Sequence, residues 1–140
     1  MFLVIKSIKI TTYTTNSNVL YKRCVITHKK NIYQTDMKNS ESNQIEWNNY
    51  IKIKNIVKKD QLFIELIMNQ GSKSNSVGST VVLIRDMIKN TKPILKTHLY
   101  VNSLAIGFIE IRFELSEDQS RLNNISLPEI KLNSDRKSFV

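Results

Sequence analysis

Residues 50–88 decide the fold, and they read Y-I-K-I-K-N-I-V-K-K-D-Q-L-F-I-E-L-I-M-N-Q-G-S-K-S-N-S-V-G-S-T-V-V-L-I-R-D-M-I. Apolar and charged side chains alternate at residues 50–56, which is typical of a half-buried strand. Two further strands are predicted at residues 61–68 and 79–84, separated by the polar loop N-Q-G-S-K-S-N-S. A single helical turn at 86–90 follows. The stretch therefore predicts three strands leading into a short helix.

The rest of the chain continues this pattern of short strands. Further strands are predicted at residues 2–10, 19–27, 32–37, 96–101 and 108–115. Residues 38–44 are polar and predict a connection, and Trp47 is expected to pack into the core with its N–H hydrogen-bonded. Eight short strands with little helix predict an all-β antiparallel sandwich or barrel.

The length of 140 residues fits one domain, with the strands in residues 1–115 and a polar tail or linker at 116–140. Only four apolar residues follow Met1 before Lys6, whereas a membrane span needs about 20. The single cysteine, Cys24, excludes an internal disulfide and lies in an apolar run that predicts a buried thiol. We expect a cytoplasmic protein.

The net charge is +9 and unevenly distributed, because residues 1–60 hold 11 Lys/Arg against 4 Asp/Glu and residues 61–140 hold 10 against 8. The basic half could meet an anionic partner, or it could be the solvated surface of a Lys-rich chain. No nucleotide-binding glycine loop, nucleophile elbow or metal-ligand spacing occurs, so we expect no enzyme activity, catalytic residue, metal or cofactor. The lack of interleaved aromatics disfavours nucleic acid.

Segments in the right order resemble a C2 domain. They are the apolar strand at 2–10, E-W-N-N-Y-I-K-I at 46–53, the strand, loop and V-G-S at 61–79, and G-F-I-E-I-R-F-E-L at 107–115. The chain departs from the family pattern before Trp47, where the expected proline is absent, and at 18–21, where N-V-L-Y replaces S-D-P-Y. The resemblance covers residues 2–115 and implies an eight-stranded antiparallel β-sandwich of the C2 type, in a divergent form.

Calcium is the best-known ligand of the resembled family, whose calcium-binding members place several aspartates on two apical loops. The corresponding residues 11–18 and 69–77 contain no acid. Amide and thioether side chains stand where the resemblance implies aspartates, at Met68, Asn69, Gln70 and Asn75. Because calcium takes about 6–8 oxygens, mostly carboxylates, the sequence predicts no calcium site.

The resemblance also implies a concave polybasic surface that binds phosphoinositide or phosphatidylserine headgroups without calcium. The candidate lipid-binding residues are Lys22, Lys29, Lys30, Lys52 and Lys54. Lys52 and Lys54 should point to solvent if Ile51 and Ile53, which alternate with them, face the core. The prediction is a calcium-independent adaptor that targets a larger protein to an anionic membrane.

A second interpretation stays open. The same lysines could be a solvated sheet face that blunts strand edges. The chain would then be a structural protein–protein interaction module in a cytoskeletal, ciliary, centriolar or membrane-skeleton scaffold, without lipid binding. Both interpretations predict a cytoplasmic protein at the periphery of a membrane or a cytoskeletal structure.

Overall fold

A computed structural model of the chain describes residues 1–14, 20–40 and 42–117. These residues form ten strands and one short helix. The elements are β1 (Phe2–Thr12), β2 (Leu20–His28), β3 (Asn31–Gln34), β4 (Lys38–Ser40), β5 (Gln44–Trp47), β6 (Ile51–Ile53), β7 (Gln61–Gln70), β8 (Lys73–Leu83), α1 (Ile84–Lys89), β9 (Ile94–Val101) and β10 (Leu104–Ser116). Most of the predicted tail lies outside the described residues.

The strands occupy eight positions in the order β3-β2-β7-β8-β9-β10-β1-β5. β4 pairs with β2, and β6 pairs with β1, so β3–β4 and β5–β6 are each one broken edge strand. The pairings are antiparallel, and β8 meets β9 at a single residue pair, Ser79 and Tyr100. The sheet therefore divides there into a first layer (β2, β3, β4, β7 and β8) and a second layer (β1, β5, β6, β9 and β10). The predicted all-β antiparallel sandwich is confirmed.

The core lies between the layers and follows the alternation of apolar residues along each strand. In β1, Ile5 and Ile8 both face inward although they are three positions apart, because the register shifts between Ile5 and Ser7. Trp47 is fully buried, as predicted, but within the described residues its Nε1 has no hydrogen-bond partner. The described residues therefore do not supply the predicted hydrogen bond of this indole.

Two polar segments form strands that the sequence did not predict. β7 and β8 pair as far as Gln70 and Lys73, which leaves a two-residue turn at Gly71 and Ser72 in place of the predicted loop. Gly71 has a φ of +62°, a conformation that glycine adopts without a Cβ clash. Residues 38–44, predicted as a connection, contain β4 and the first residue of β5. Backbone pairing forms these strands without apolar alternation.

Apart from the breaks within the two edge strands, the connections between strands lie at two opposite ends of the sandwich. The residue after β1, the β7–β8 turn and the β9–β10 turn share one end, which we call the turn end. The β2–β3 turn, the β6–β7 connection and α1 lie at the other end. In the described part of the chain, no helix has the length and apolarity needed to cross a bilayer.

Candidate functional site

The end opposite the turn end carries a concentration of positive charge, and we call it the basic end. Its three connections are the turn at residues 29–30, the segment 54–60 and the segment 84–93, which includes α1. Their exposed cations are Lys29, Lys30, Lys54, Lys58, Lys59, Arg85, Lys89 and Lys92. The same segments contain two acids, Asp60 and Asp86. The described connecting residues of the turn end, 13–14, 42–43, 71–72 and 102–103, carry no charged side chain.

The side chain of Asp60 joins two of these connections. Its Oδ2 atom lies 2.9 Å from His28 Nε2 and 3.6 Å from Lys29 Nζ. The backbone amide of Val57 donates to the same oxygen at 3.1 Å. The carboxylate is almost fully buried, so these contacts exchange little with water. They tie the β2–β3 turn to the 54–60 segment.

The backbone of Asp60 extends this connection to the third segment. Its amide donates to the carbonyl of Val57 at 3.0 Å and closes a tight turn. Its carbonyl accepts from the amide of Ile84, the first residue of α1, also at 3.0 Å. One residue therefore holds all three basic connections in a fixed arrangement.

The electrostatics of Asp60 fit this role. Burial alone would raise the pKa of its carboxyl, but the hydrogen bonds from His28 and Val57 and the charge of Lys29 hold that pKa below the usual range. The group is consequently ionised at neutral pH. A fixed negative charge at this point offsets part of the repulsion among the surrounding lysines.

A hollow of about 370 Å³ opens beside this cluster. Lys29 and Lys59 line it together with Phe63 of β7, which contributes an apolar ring. The ammonium groups of these two lysines therefore lie on the same hollow as exposed apolar surface.

The predicted lysines do not form one sheet face. Lys29, Lys30 and Lys54 are exposed and lie in the connections of the basic end. Lys52 is exposed on β6 as predicted, with its Nζ 4.4 Å from the centroid of the Phe2 ring.

Lys22 is a correction. It occupies the inward phase of β2 together with Cys24 and Ile26, and its exposed fraction is 7 %. Burial lowers the pKa of its ammonium group. The prediction that Lys22 belongs to an exposed basic surface is therefore wrong, because the strand's alternation turns it toward the interior.

Sequence reasoning missed four lysines of the basic end: Lys58, Lys59, Lys89 and Lys92. The V-K-K-D run at 57–60 and the two lysines around the end of α1 were visible as basic clusters. Nothing in the spacing indicated that these segments meet. The β-strand connectivity and the hydrogen bonds of Asp60 bring them together.

The β7–β8 hairpin of the turn end carries the four residues that stand where the resemblance implies aspartates, Met68, Asn69, Gln70 and Asn75. Met68 pairs with Asn75, and Gln70 pairs with Lys73, so these side chains stand on a closed hairpin. Asn69 accepts a hydrogen bond from the Arg23 guanidinium at 2.7 Å, so its amide oxygen is already bound to a positively charged side chain. Residues 1–14, 20–40 and 42–117 contain no group of three or more His, Cys, Asp or Glu that could hold a metal.

The outer face of the second layer carries both charge signs. A row of alternating charges crosses four strands through the register partners Lys96, Glu110, Lys9 and Glu46. Lys6 and Glu114 form a further ion pair at 3.5 Å. Opposite charges on neighbouring strands partly cancel, so this face offers less attraction to an anionic partner than the basic end.

The outer face of the first layer is more apolar. Ile32, Thr27, Phe63 and Val81 form a row of register partners across β3, β2, β7 and β8. Ile32, Phe63 and Val81 are exposed, as is nearby Tyr100. A second hollow of about 400 Å³ lies beside this row, between Phe63 and Tyr100.

Solved structures with the same architecture are C2 domains. The chain resembles the first C2 domain of plant Extended Synaptotagmin 1, with a TM-score of 0.65 and 13 % identity over 80 % of this chain and 91 % of that one. It resembles a C2 domain-containing protein from a putative elicitor-responsive gene, with a TM-score of 0.66 and 12 % identity over 86 % of this chain and 93 % of that one.

A third similar structure contains the SMP domain and two C2 domains of Extended-Synaptotagmin 2, with a TM-score of 0.60 and 17 % identity over 81 % of this chain and 26 % of that one. No protein-family model matches the sequence, and no curated protein matches it. At these identities the likeness shows the fold, which is that of a C2 domain.

Proposed function

We propose that this chain, which has the C2 fold, is a calcium-independent adaptor that attaches a larger protein to an anionic membrane through its basic end. C2 domains are in general binding modules without enzyme activity. The observation that carries the proposal is that Asp60 holds three lysine-bearing connections together at one end of the sandwich. A planar surface with dense negative charge, such as a leaflet rich in phosphatidylserine or phosphoinositide, matches this arrangement.

The expected electrostatic attraction is strong enough for reversible binding to a membrane. Each Lys or Arg close to an anionic leaflet contributes about 1 kcal/mol, and this falls as salt screens the charges. Five or six of the eight cations facing a leaflet would supply about 5–6 kcal/mol, equivalent to a dissociation constant of about 0.1 mM. The electrostatic contribution therefore gives reversible attachment, and a larger protein with a second contact would bind more tightly.

Calcium independence is part of the proposal. The side chains at the turn end that replace the expected aspartates are an amide bound to Arg23 and residues in a closed hairpin. The attraction at the basic end needs no bridging cation, because the lysines carry the positive charge themselves.

Vesicle co-sedimentation tests the proposal. The chain should bind vesicles of phosphatidylcholine with phosphatidylserine or phosphoinositide and should not bind vesicles of phosphatidylcholine alone. A calcium chelator should leave the bound fraction unchanged, and raising the salt concentration should lower it. Absence of binding to anionic vesicles at low salt would contradict the proposal.

A second candidate function rests on the apolar outer row of the first layer. Exposed Ile32, Phe63 and Val81 in one row across the first layer are typical of a surface that another protein covers. In this candidate the chain is a protein–protein interaction module in a scaffold. Ile32 and Val81 do not line the hollow beside Lys29 and Lys59, so replacing these two residues with serine should abolish capture of such a partner while leaving vesicle binding unchanged.

A further inference from the structure

We infer that the bilayer is met end-on, with the side chains of Val57 and Ile88 inserted between the lysines of the basic end. This rests on the proposed membrane attachment and adds its geometry: which residues enter the leaflet and how the sandwich is oriented. The turn end, where the resembled family keeps its calcium loops, then faces away from the membrane.

Val57 is an exposed apolar residue that its surroundings hold in place. Its side chain is 45 % exposed, although its backbone amide and carbonyl are both bound by Asp60. Lys58 and Lys59 follow it directly. An apolar side chain displayed on a fixed turn loses little conformational freedom when it enters a lipid interface.

Ile88 presents a similar combination on α1. Ile84 and Met87 of this helix are buried, whereas Ile88 is 41 % exposed and is followed by Lys89. The helix is joined to the Val57 turn by the hydrogen bond from the Ile84 amide to the Asp60 carbonyl. Both apolar side chains therefore belong to one fixed unit and to the same end of the sandwich.

The combination of apolar and cationic side chains favours a lipid interface as the binding partner of the basic end. Membrane-surface segments bury apolar side chains at the headgroup boundary while flanking lysines pair with anionic headgroups. The turn end offers a useful contrast. Leu104 is 69 % exposed beside the β9–β10 turn, but no cation lies in that turn. Apolar exposure alone is thus common to both ends, and the pairing with lysine distinguishes the basic end.

Site-specific fluorescent probes test the orientation. Cys24 is fully buried, and burial raises the pKa of its thiol to about 12, so a cysteine introduced at the surface can be labelled selectively. We would label Val57→Cys, Ile88→Cys and the matched control Leu104→Cys with a polarity-sensitive dye. On vesicles containing phosphatidylserine, the dyes at positions 57 and 88 should become more fluorescent and be quenched by lipids brominated in the acyl chain. The dye at position 104 should remain in water.

Serine substitutions test the contribution to affinity. Removing a partly exposed valine or isoleucine from a lipid interface should weaken vesicle binding about fivefold for each of Val57→Ser and Ile88→Ser. Leu104→Ser should leave the affinity unchanged. Raising the salt concentration should reduce the affinities of the double variant and the wild type by the same factor, because the lysines are the same in both.

The outcomes separate this inference from the proposed function. If the chain binds anionic vesicles while the dyes at 57 and 88 stay in water, end-on insertion is wrong and the electrostatic attachment stands. If the dye at 104 enters the lipid instead, the orientation is reversed and both proposals fail. If no variant binds vesicles and a protein partner is captured instead, the membrane proposal itself fails.

Discussion

Replacing Asp60 with alanine should destabilise the protein more than the same substitution at any other acid among the described residues. The change removes hydrogen bonds from His28 and Val57 and the ion pair with Lys29. Hydrogen bonds to a charged group contribute about 1.5–3 kcal/mol each, and solvent replaces part of this in the variant, so we expect a loss of about 2–4 kcal/mol. For a domain of this size the melting temperature should fall by roughly 10 °C.

Urea denaturation at neutral pH measures this loss, with Asp86→Ala as the matched control. Asp86 is exposed on α1 at the same end, so its removal should change the stability by less than about 0.5 kcal/mol. The pH dependence adds a second signature. The folded pKa of Asp60 is depressed, so its stabilisation is fully present above the unfolded value of about 3.9 and is lost as the pH falls through the folded pKa. Equal midpoints for Asp60→Ala and wild type at pH 7 would refute the assigned role.

Three further results are expected. Calorimetric titration with millimolar calcium should give no binding heat, and a thermal shift with calcium but not magnesium would contradict the proposed calcium independence. Lys22→Met should leave vesicle binding unchanged and should match or exceed wild-type stability by up to about 1 kcal/mol at pH 7, because an inward lysine is costly to desolvate. The Lys22 ammonium loses its proton in the folded protein at a lower pH than the unfolded pKa of about 10.4. As the pH rises toward that value, the stability of the wild type should therefore increase relative to that of Lys22→Met. Gly107→Ala should lower the free energy of unfolding, measured by urea denaturation, by about 3 kcal/mol or more. A Cβ at this position would collide with the Thr11 carbonyl oxygen and lie 2.8 Å from Thr12 Cα. A loss below about 1 kcal/mol would show that β1 and β10 can move apart to accommodate it.

The fold could be predicted from the sequence where one layer face is buried. Alternation at 61–68 and 108–115 places Leu62, Ile64, Ile109 and Ile111 in the core, and the structure confirms this. The alternation in β1 was less regular, because the register shift at Lys6 moves the inward phase by one residue. Periodicity therefore predicts strands and their buried faces, but it does not predict the bulges that change which residues of a strand face the core.

Polar strands could not be predicted by the same signal. β4 and the first half of β8 contain mostly Ser, Asn and Lys, and their backbone pairing is satisfied by neighbouring strands. Their side chains contribute no apolar pattern, so the sequence predicted a long loop where the structure has a hairpin at Gly71. Tertiary pairing overrides the low intrinsic strand preference of these residues.

The candidate site was predictable only in part. The sequence indicated lysines at 29, 30 and 54, and these lie together at the basic end. It could not indicate that Lys58, Lys89 and Lys92 join them, because that depends on three connections meeting across long sequence separations. Lys22 was grouped with these lysines because the R-C-V-I run that follows it does not determine which residues of the strand face the core.

The central claim is that the basic end attaches the protein to an anionic membrane, and a charge-matched pair of variants tests it most directly. Lys58→Glu lies at the basic end, and Lys73→Glu lies at the start of β8 beside the turn end; both lysines are exposed and both variants lower the net charge by the same amount. Titration with phosphatidylserine vesicles in chelator at low salt gives both affinities. Each unit of charge near the leaflet contributes about 1 kcal/mol and Lys→Glu changes the charge by two units, so Lys58→Glu should weaken binding roughly 30-fold while Lys73→Glu should change it less than about twofold. Equal losses for the two variants would mean that net charge alone drives binding, and would contradict attachment through the basic end.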